Sequence, residues 1–176
     1  PPLSFLAAAA GLSIRHPTVR FVCIGEGSPE REAQLRDEAH ELGITEKVIW
    51  AGGRTDMAAV YNALDINTLA SRFGEGFPNA IGEAMAVGVP CVVTDCGDAA
   101  LIVDTTGVVV VPGDREKLTA GWEQLLSLST EDREVLRIRC RDRIKMNFST
   151  ESMIARSAEI YADTAKGLLP PVDDRG

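Results

Sequence analysis

Short apolar runs alternate with longer amphipathic stretches along most of the chain. The apolar runs cover residues 19–25, 48–52, 65–70, 90–95 and 107–111, and are typical of strands buried on both faces of a parallel sheet. The stretches between them have helical spacing and cover 3–15, 29–42, 56–64, 79–87 and 115–127. Two more predicted helices, 131–146 and 150–166, follow without a strand. The pattern predicts an α/β fold, with a doubly wound parallel sheet and a C-terminal helical extension.

Residues with strong boundary preferences support these limits. Gly43 and Gly88 stand where two helices are expected to end, and Ser28 and Ser129 stand where others are expected to begin. The last residues are rich in proline and charge, a composition that favours fraying. We therefore expect one domain over residues 1–167 and a flexible tail over 168–176.

Composition and charge exclude several classes of function. Of the 176 residues, 45% are apolar and 25% are charged, as in ordinary globular domains. The sequence lacks an apolar stretch approaching the roughly 20 residues that span a bilayer. The net charge of −8 repels phosphate backbones, so nucleic acid is not an expected partner.

The cysteine and histidine content bounds the chemistry further. The four cysteines form no Cys-x-x-Cys pair, and we expect free thiols in a reducing cytoplasm. With only His16 and His40, a histidine-built metal site or a Ser-His-Asp triad is not expected. The chain begins at Pro1 rather than at a methionine, which suggests a fragment of a longer protein.

Open parallel sheets bind ligands at the carboxyl ends of their strands, so the loops that follow the strands are candidate sites. The first such loop starts as a dinucleotide motif at Gly25 but has Glu30 in place of the third glycine, which disfavours NAD. In the second loop, residues 52–56, Arg54 either lies across a nucleobase or is a solvated residue of a tight turn. Thr55 or Asp56 is expected to cap the helix that follows.

The third loop, SRFGEGFPNAIGEAMA at residues 71–86, carries most of the functional information. Glu75 lies in a glycine-flanked turn after a strand, Pro78 suits the first helical turn, and Glu83 falls inside the helix. The free amides of residues 77–80 then form a site suited to phosphate.

Two carboxylates beside a phosphate site suit a ligand that also carries hydroxyl groups. An ionised carboxylate can accept two O–H bonds from a vicinal diol, and a nucleotide sugar has diols on both sides of its diphosphate. Glu75 would then meet the sugar and Glu83 the ribose. Alternatively, both glutamates only complement the helix dipole and the solvent.

These residues carry a resemblance to a known family. The segment EGFPNAIGEAMAVGVPCVVTDCGD, with Glu75 and Glu83 eight positions apart, resembles the donor site of the family 4 retaining glycosyltransferases. The likeness extends to HPTVRFVCIGEGSPERE, YNALDINTLAS, GVVVVPGDREKLTAGWEQLL and FSTESMIARSAEIY.

The resemblance implies a GT-B architecture of two Rossmann-like domains, of which this chain is similar to the C-terminal, donor-binding half. It implies hexosyl transfer from a UDP-, GDP- or ADP-sugar, with retention of configuration, without a cofactor and without an obligatory metal. Glu75 matches the catalytic-site glutamate at the donor hexose, and Glu83 the glutamate on the ribose. The donor-binding positions also include Arg54, near the base, and the loop residues Gly76, Phe77, Pro78 and Asn79.

The resemblance further implies a role in polysaccharide biosynthesis, with a glycan, lipid or small-molecule acceptor bound by an absent N-terminal domain. The expected location is the cytoplasm, with peripheral contact at the inner face of the membrane, made through the absent half, as an alternative.

Three departures from the family pattern qualify these expectations. Family members place an Arg and a Lys beside the pyrophosphate, in and just after the first strand of this domain, and we expect that strand to precede Pro1. Asp98 stands where the family often has glycine. Without the basic pair and the acceptor domain, we expect the isolated chain to bind donor weakly and to transfer little.

Two alternatives stay open from the sequence. One is a non-catalytic nucleotide-sugar-binding or scaffold module of the same fold. The other is a nucleotide-sugar epimerase, which would need a carboxylate and histidine set for proton abstraction.

Overall fold

The computed structural model describes residues 2–71 and 76–166. In chain order the helices and strands are α1 (Pro2–Arg15), β1 (Phe21–Ile24), α2 (Pro29–Glu41), β2 (Val48–Gly52), α3 (Met57–Asn62), β3 (Asn67–Leu69), α4 (Asn79–Ala86), β4 (Cys91–Thr94), α5 (Ala99–Val103), β5 (Val108–Val110), α6 (Arg115–Leu126), α7 (Thr130–Asn147) and α8 (Thr150–Ala165). Short 3-10 turns occupy Thr45–Lys47 and Asp104–Thr106. Each predicted strand and helix that falls on described residues is present, with ends shifted by at most a few residues.

All the strand pairs recorded in the described part of the chain are parallel. β1 pairs with β2, and β4 lies between β3 and β5. The parallel α/β class is thus confirmed, while the five strands form a two-stranded and a three-stranded sheet rather than one continuous ladder. The carboxyl ends of neighbouring strands within each sheet point the same way, as a site at that edge requires.

The core has two parts, on opposite faces of β4. Val92 faces a cluster built with α1 and α6, whereas Cys91 and Val93 face a cluster built with α4, α5 and α7. Because successive side chains of a strand point to opposite faces, this alternation shows helices on both sides of the sheet. The first cluster also includes Phe21 of β1 and Val48 of β2, so this cluster links the two sheets.

Four of the eight helices in the described residues have a side-chain N-cap, including the two expected at Ser28 and Ser129. The hydroxyls of Ser28, Ser129 and Ser149 and the carboxylate of Asp114 each accept a backbone N–H of the first turn. At the helix ends, Gly43 and Gly88 have φ of 68° and 85°, a conformation that favours glycine. Helix α5 was not predicted.

Candidate functional site

The loops at the carboxyl edge of the strands are tied to one another by backbone groups. The amide of Gly25, after β1, donates to the carbonyl of Gly52 at 2.9 Å. The hydroxyl of Thr94, at the end of β4, donates to the carbonyl of Ser71 at 2.6 Å. These bonds join the segment after β1 to the end of β2, and the end of β4 to the segment after β3.

Helix α4 starts at this edge, immediately after Pro78. Pro78 is the N-cap residue, with φ −76° and ψ 92°, and Asn79 is the first helical residue. The amides of Ile81 and Gly82 donate to the carbonyl of Pro78 at 2.9 and 3.4 Å. The prediction that Pro78 lies in the first helical turn is therefore off by one residue. By helix geometry, the amides of Asn79 and Ala80 have no acceptor within the helix.

The segment before α4 is held from two sides. The amide of Asp98 donates to the carbonyl of Gly76 at 3.2 Å. The Phe77 ring, 44% exposed, packs on Phe148 with ring centroids 5.6 Å apart. Asp98 itself has φ −83°, so the backbone there does not need the glycine that the family often has.

Glu83 is an exposed residue one turn into α4. One carboxylate oxygen, Oε2, accepts a hydrogen bond of 3.1 Å from the hydroxyl of Tyr61 in α3. Burial, and then the bond to Glu83, raise the pKa of Tyr61 to about 12. The carboxylate is thus oriented at the same helix end that exposes the Asn79 and Ala80 amides.

Glu75, the predicted partner of Glu83, lies outside the described residues. The separation of the two carboxylates, on which the sequence interpretation depends, therefore stays a prediction.

Arg54 is exposed and forms a two-pronged ion pair with Asp56, with Nε–Oδ1 2.8 Å and Nη2–Oδ2 2.5 Å. The pair raises the pKa of the Arg54 guanidinium and lowers the pKa of the Asp56 carboxyl. Asp56 occupies the N-cap position of α3, but its side chain makes no capping bond. The expectation that Thr55 or Asp56 caps the helix by its side chain is wrong, because the arginine fork holds that carboxylate.

A pocket of about 240 Å³ lies between the loops that follow β1 and β2. Its lining includes Glu26, Arg31 and Trp50 together with the backbone of Gly25 and Gly27. A Cβ on Gly53 would collide with the Glu26 side chain, so the two loops are in direct contact. The weak Gly-x-Gly motif was the sequence signal for this pocket. Nothing in the sequence indicated that Trp50 lines the pocket or that Tyr61 contacts Glu83, since both residues fit ordinary core positions.

Two absences hold for residues 2–71 and 76–166. They contain no group of three or more His, Cys, Asp or Glu side chains placed to hold a metal ion. None of their helices is both long and apolar enough to cross a membrane.

Comparison with known proteins identifies the family. The family model of the group 1 glycosyl transferases matches residues 2–128. The Vi polysaccharide biosynthesis protein VipC/TviE of Salmonella typhi is 37% identical over 99 residues, which are 56% of this chain and 17% of that protein.

Two solved structures share the fold. The C-terminal domain of the group 1 glycosyl transferase LpcC from Francisella tularensis is 24% identical with a TM-score of 0.74, over 84% of this chain and 79% of that one. Anabaena Alr3699/HepE in complex with UDP is 22% identical with a TM-score of 0.81, over 91% of this chain but 44% of that one. The chain spans less than half the length of this last protein. Because the family model matches most of its length, this chain belongs to the group 1 glycosyl transferases. It has the fold of the C-terminal domain of a GT-B enzyme.

Proposed function

We propose that this chain binds a nucleoside diphosphate sugar, as the donor-binding half of a retaining glycosyltransferase. The transferred hexosyl group would go to a glycan, lipid or small-molecule acceptor held by a second domain. The observation that carries the proposal is the position of Glu83, whose exposed carboxylate lies one turn inside a helix that begins at the carboxyl edge of the strands. Family membership and the UDP complex of Anabaena Alr3699/HepE support it.

In this proposal, each part of the donor is bound by a different group of protein atoms. The diphosphate lies at the start of α4, where the amides of Asn79 and Ala80 and the helix dipole favour an anion. Glu83 accepts hydrogen bonds from the ribose hydroxyls, since an ionised carboxylate is an acceptor only. Glu75 is assigned to the donor hexose. No metal is assigned, because the helix start supplies the compensating charge.

The nucleobase end of the donor is assigned to the loops after β1 and β2. The lining of the pocket there includes the apolar side chains of Leu35 and Trp50 and the cationic side chain of Arg31. Arg54 lies two residues after Gly52, which lines the pocket, and is paired with Asp56, so a stacking contact with the base would require that ion pair to open. Exposed pairs of this kind contribute about 0–1 kcal/mol, which makes the rearrangement inexpensive.

Affinity is expected to be low. The net charge of −8 opposes an anionic ligand, and local groups must overcome that field. We expect a Kd of roughly 0.1 to 1 mM for the preferred nucleotide.

NMR titration of the ¹⁵N-labelled chain with UDP, GDP, ADP and NAD tests the proposal. One of the three diphosphates should shift the amides of residues 77–83, and Glu83→Gln should weaken its binding roughly tenfold or more, as loss of a hydrogen bond to a charged group predicts.

The matched control is Glu41→Gln, an exposed glutamate at the far end of α2, which should leave the titration unchanged. Binding of NAD alone, or an affinity unaffected by Glu83→Gln, would contradict the assignment.

A further inference from the structure

Tyr61 is a buried residue whose hydroxyl donates a hydrogen bond to the exposed side chain of Glu83. It lies in the short helix α3 and is only 4% exposed. Its ring belongs to the apolar cluster that also contains Ile81, Ala84 and Met85 of α4. Its hydroxyl donates to Glu83 Oε2 at 3.1 Å, across a sequence separation of 22 residues.

Packing accounts for the ring but not for the hydroxyl. A phenylalanine would fill the same space without a polar group, and a buried hydroxyl costs free energy unless it is hydrogen-bonded. Here the bond goes to a carboxylate that solvent could satisfy, since Glu83 is exposed. The geometry therefore benefits the carboxylate, by fixing its direction, more than it benefits the core.

A fixed carboxylate is a better acceptor for a ligand. A free glutamate side chain loses rotamer freedom when it binds, and a side chain held beforehand avoids that loss. With Oε2 held by Tyr61, Oε1 and the remaining lone pair of Oε2 are left for ligand hydroxyls. The raised pKa of Tyr61, about 12, keeps the phenol a donor throughout the physiological range.

The second anchor of this arrangement is the helix itself. The side-chain amide of Asn67 in β3 donates to the carbonyl of Ala80 in the first turn of α4 at 3.2 Å. Asn67 thereby fixes the helix start to the sheet, while Tyr61 fixes the Glu83 side chain to α3. The open amides and the carboxylate are held in one geometry by two neighbouring elements.

We infer that Tyr61 is a positioning residue, whose hydroxyl holds Glu83 in the orientation that receives the ribose diol of the nucleotide. The inference rests on the proposed function, because it requires that Glu83 meet the ribose. It assigns Tyr61 a part in telling ribose from sugars that lack the diol.

The test compares nucleotides with and without that diol. The affinities of the full chain for UDP, GDP and ADP, and for the matching 2′,3′-dideoxynucleoside diphosphates, are measured by NMR titration. Tyr61→Phe should weaken binding of the preferred ribonucleotide about three- to tenfold, in line with one lost hydrogen bond. It should leave the affinity for the dideoxy compound unchanged, so the preference for ribose falls by the same factor.

Two controls separate positioning from folding. Tyr161→Phe removes a hydroxyl from a tyrosine that is 75% exposed and should change neither affinity. In the Glu83→Gln background, Tyr61→Phe should add little further loss, because the two residues act through one contact. Should Tyr61→Phe fail to fold, the ¹³Cζ resonance of Tyr61 in the wild-type chain replaces it, and it should shift with the ribonucleotide but not with the dideoxy compound.

The outcomes distinguish the two claims. If the wild-type chain binds none of the diphosphates, or binds both sugars equally, the proposed function and this inference both fail. If Glu83→Gln reduces the preference for ribose while Tyr61→Phe does not, only the inference fails. Equal loss of affinity for both sugars in Tyr61→Phe would show a structural role and would also overturn it.

Discussion

Gly107 shows how a single residue fixes the distance between two strands. It lies just before β5, with φ −167°, an extended conformation that any residue can adopt. A Cβ at this position would collide with the carbonyl oxygen of Cys91 in β4 and would come within 2.7 Å of Val103 Cγ1. Because one of the obstructing atoms is backbone, rotation of a side chain cannot relieve the collision.

We therefore predict that Gly107→Ala lowers the free energy of unfolding by about 1–3 kcal/mol, as overpacking of a filled core does. Urea denaturation measures the loss. The control is Gly27→Ala, since Gly27 is exposed and a Cβ there would meet no atom within 4 Å, and its stability should not fall. A Gly107→Ala variant as stable as the wild type would mean that the entry into β5 can move away from β4.

At the same scale, the limits of sequence reasoning are seen in two side chains. The sequence pattern predicted Asp56 at the start of α3, and the structure places it there. Its carboxylate, however, pairs with Arg54 instead of capping the helix. The local sequence does not show whether the Asp56 carboxylate binds the backbone amides of the helix or the Arg54 guanidinium, since both are acceptable partners. Glu83 was predicted as a ligand-binding residue, yet its partner Tyr61 was not, because that contact exists only once α3 has packed against α4.

Among the elements, α8 depends most on its own local interactions. Its large apolar residues are exposed, including Met153 at 60% and Ile160 at 56%, and within the described residues its principal contact is with α7. The Ser149 hydroxyl accepts the amide of Ser152 at 3.1 Å and caps the helix. A helix with little buried surface belongs to the low-stability end of local unfolding.

Removal of this cap should therefore act locally. Ser149→Ala is expected to cost about 1 kcal/mol and to speed amide exchange in α8 about fivefold, with the global unfolding free energy unchanged. The measurement is hydrogen exchange by NMR at a pH where α8 amides are slow enough to follow.

The matched control is Ser129→Ala, which removes the corresponding cap of α7. That helix carries the fully buried Cys140, so the loss of about 1 kcal/mol should appear in global stability instead. Unchanged α8 exchange in Ser149→Ala would show that contacts on α7, rather than the cap, hold the helix.

Helices and strands were predicted well where the hydrophobic pattern extends over enough residues to show its period. The β2 prediction agrees with the structure at both ends, and the long helices end within two residues of their predicted limits. Helix α5 was missed because AALIV has five consecutive apolar residues, too short and too uniform to show a helical period. Likewise, the division of the strands into two sheets depends on hydrogen bonds between distant segments, which the local pattern does not specify.

For the molecule as a whole, ionisable groups lie within or against both parts of the core. Burial raises the pKa of the Cys23 and Cys140 thiols to about 11, from an ordinary value of 9.0. It also raises the pKa of the Tyr61 phenol to about 12, from 10.0, and it raises the pKa of Cys91. All these shifts have the same sign, so their effects on stability add.

Alkaline pH should consequently unfold the chain through these groups. Between pH 9 and pH 11 the unfolded chain releases thiol protons that the folded chain retains, and stability falls wherever the folded state binds more protons. The stabilising contribution is complete below pH 9 and is lost as the pH rises through about 11 for the thiols and about 12 for Tyr61. Urea midpoints at pH 8, 9, 10 and 10.5 should change little between pH 8 and pH 9 and should then fall more steeply with each step. Cys23→Ser, which removes one partly exposed thiol, should decline less steeply, and a midpoint independent of pH over this range would contradict the burial of these groups.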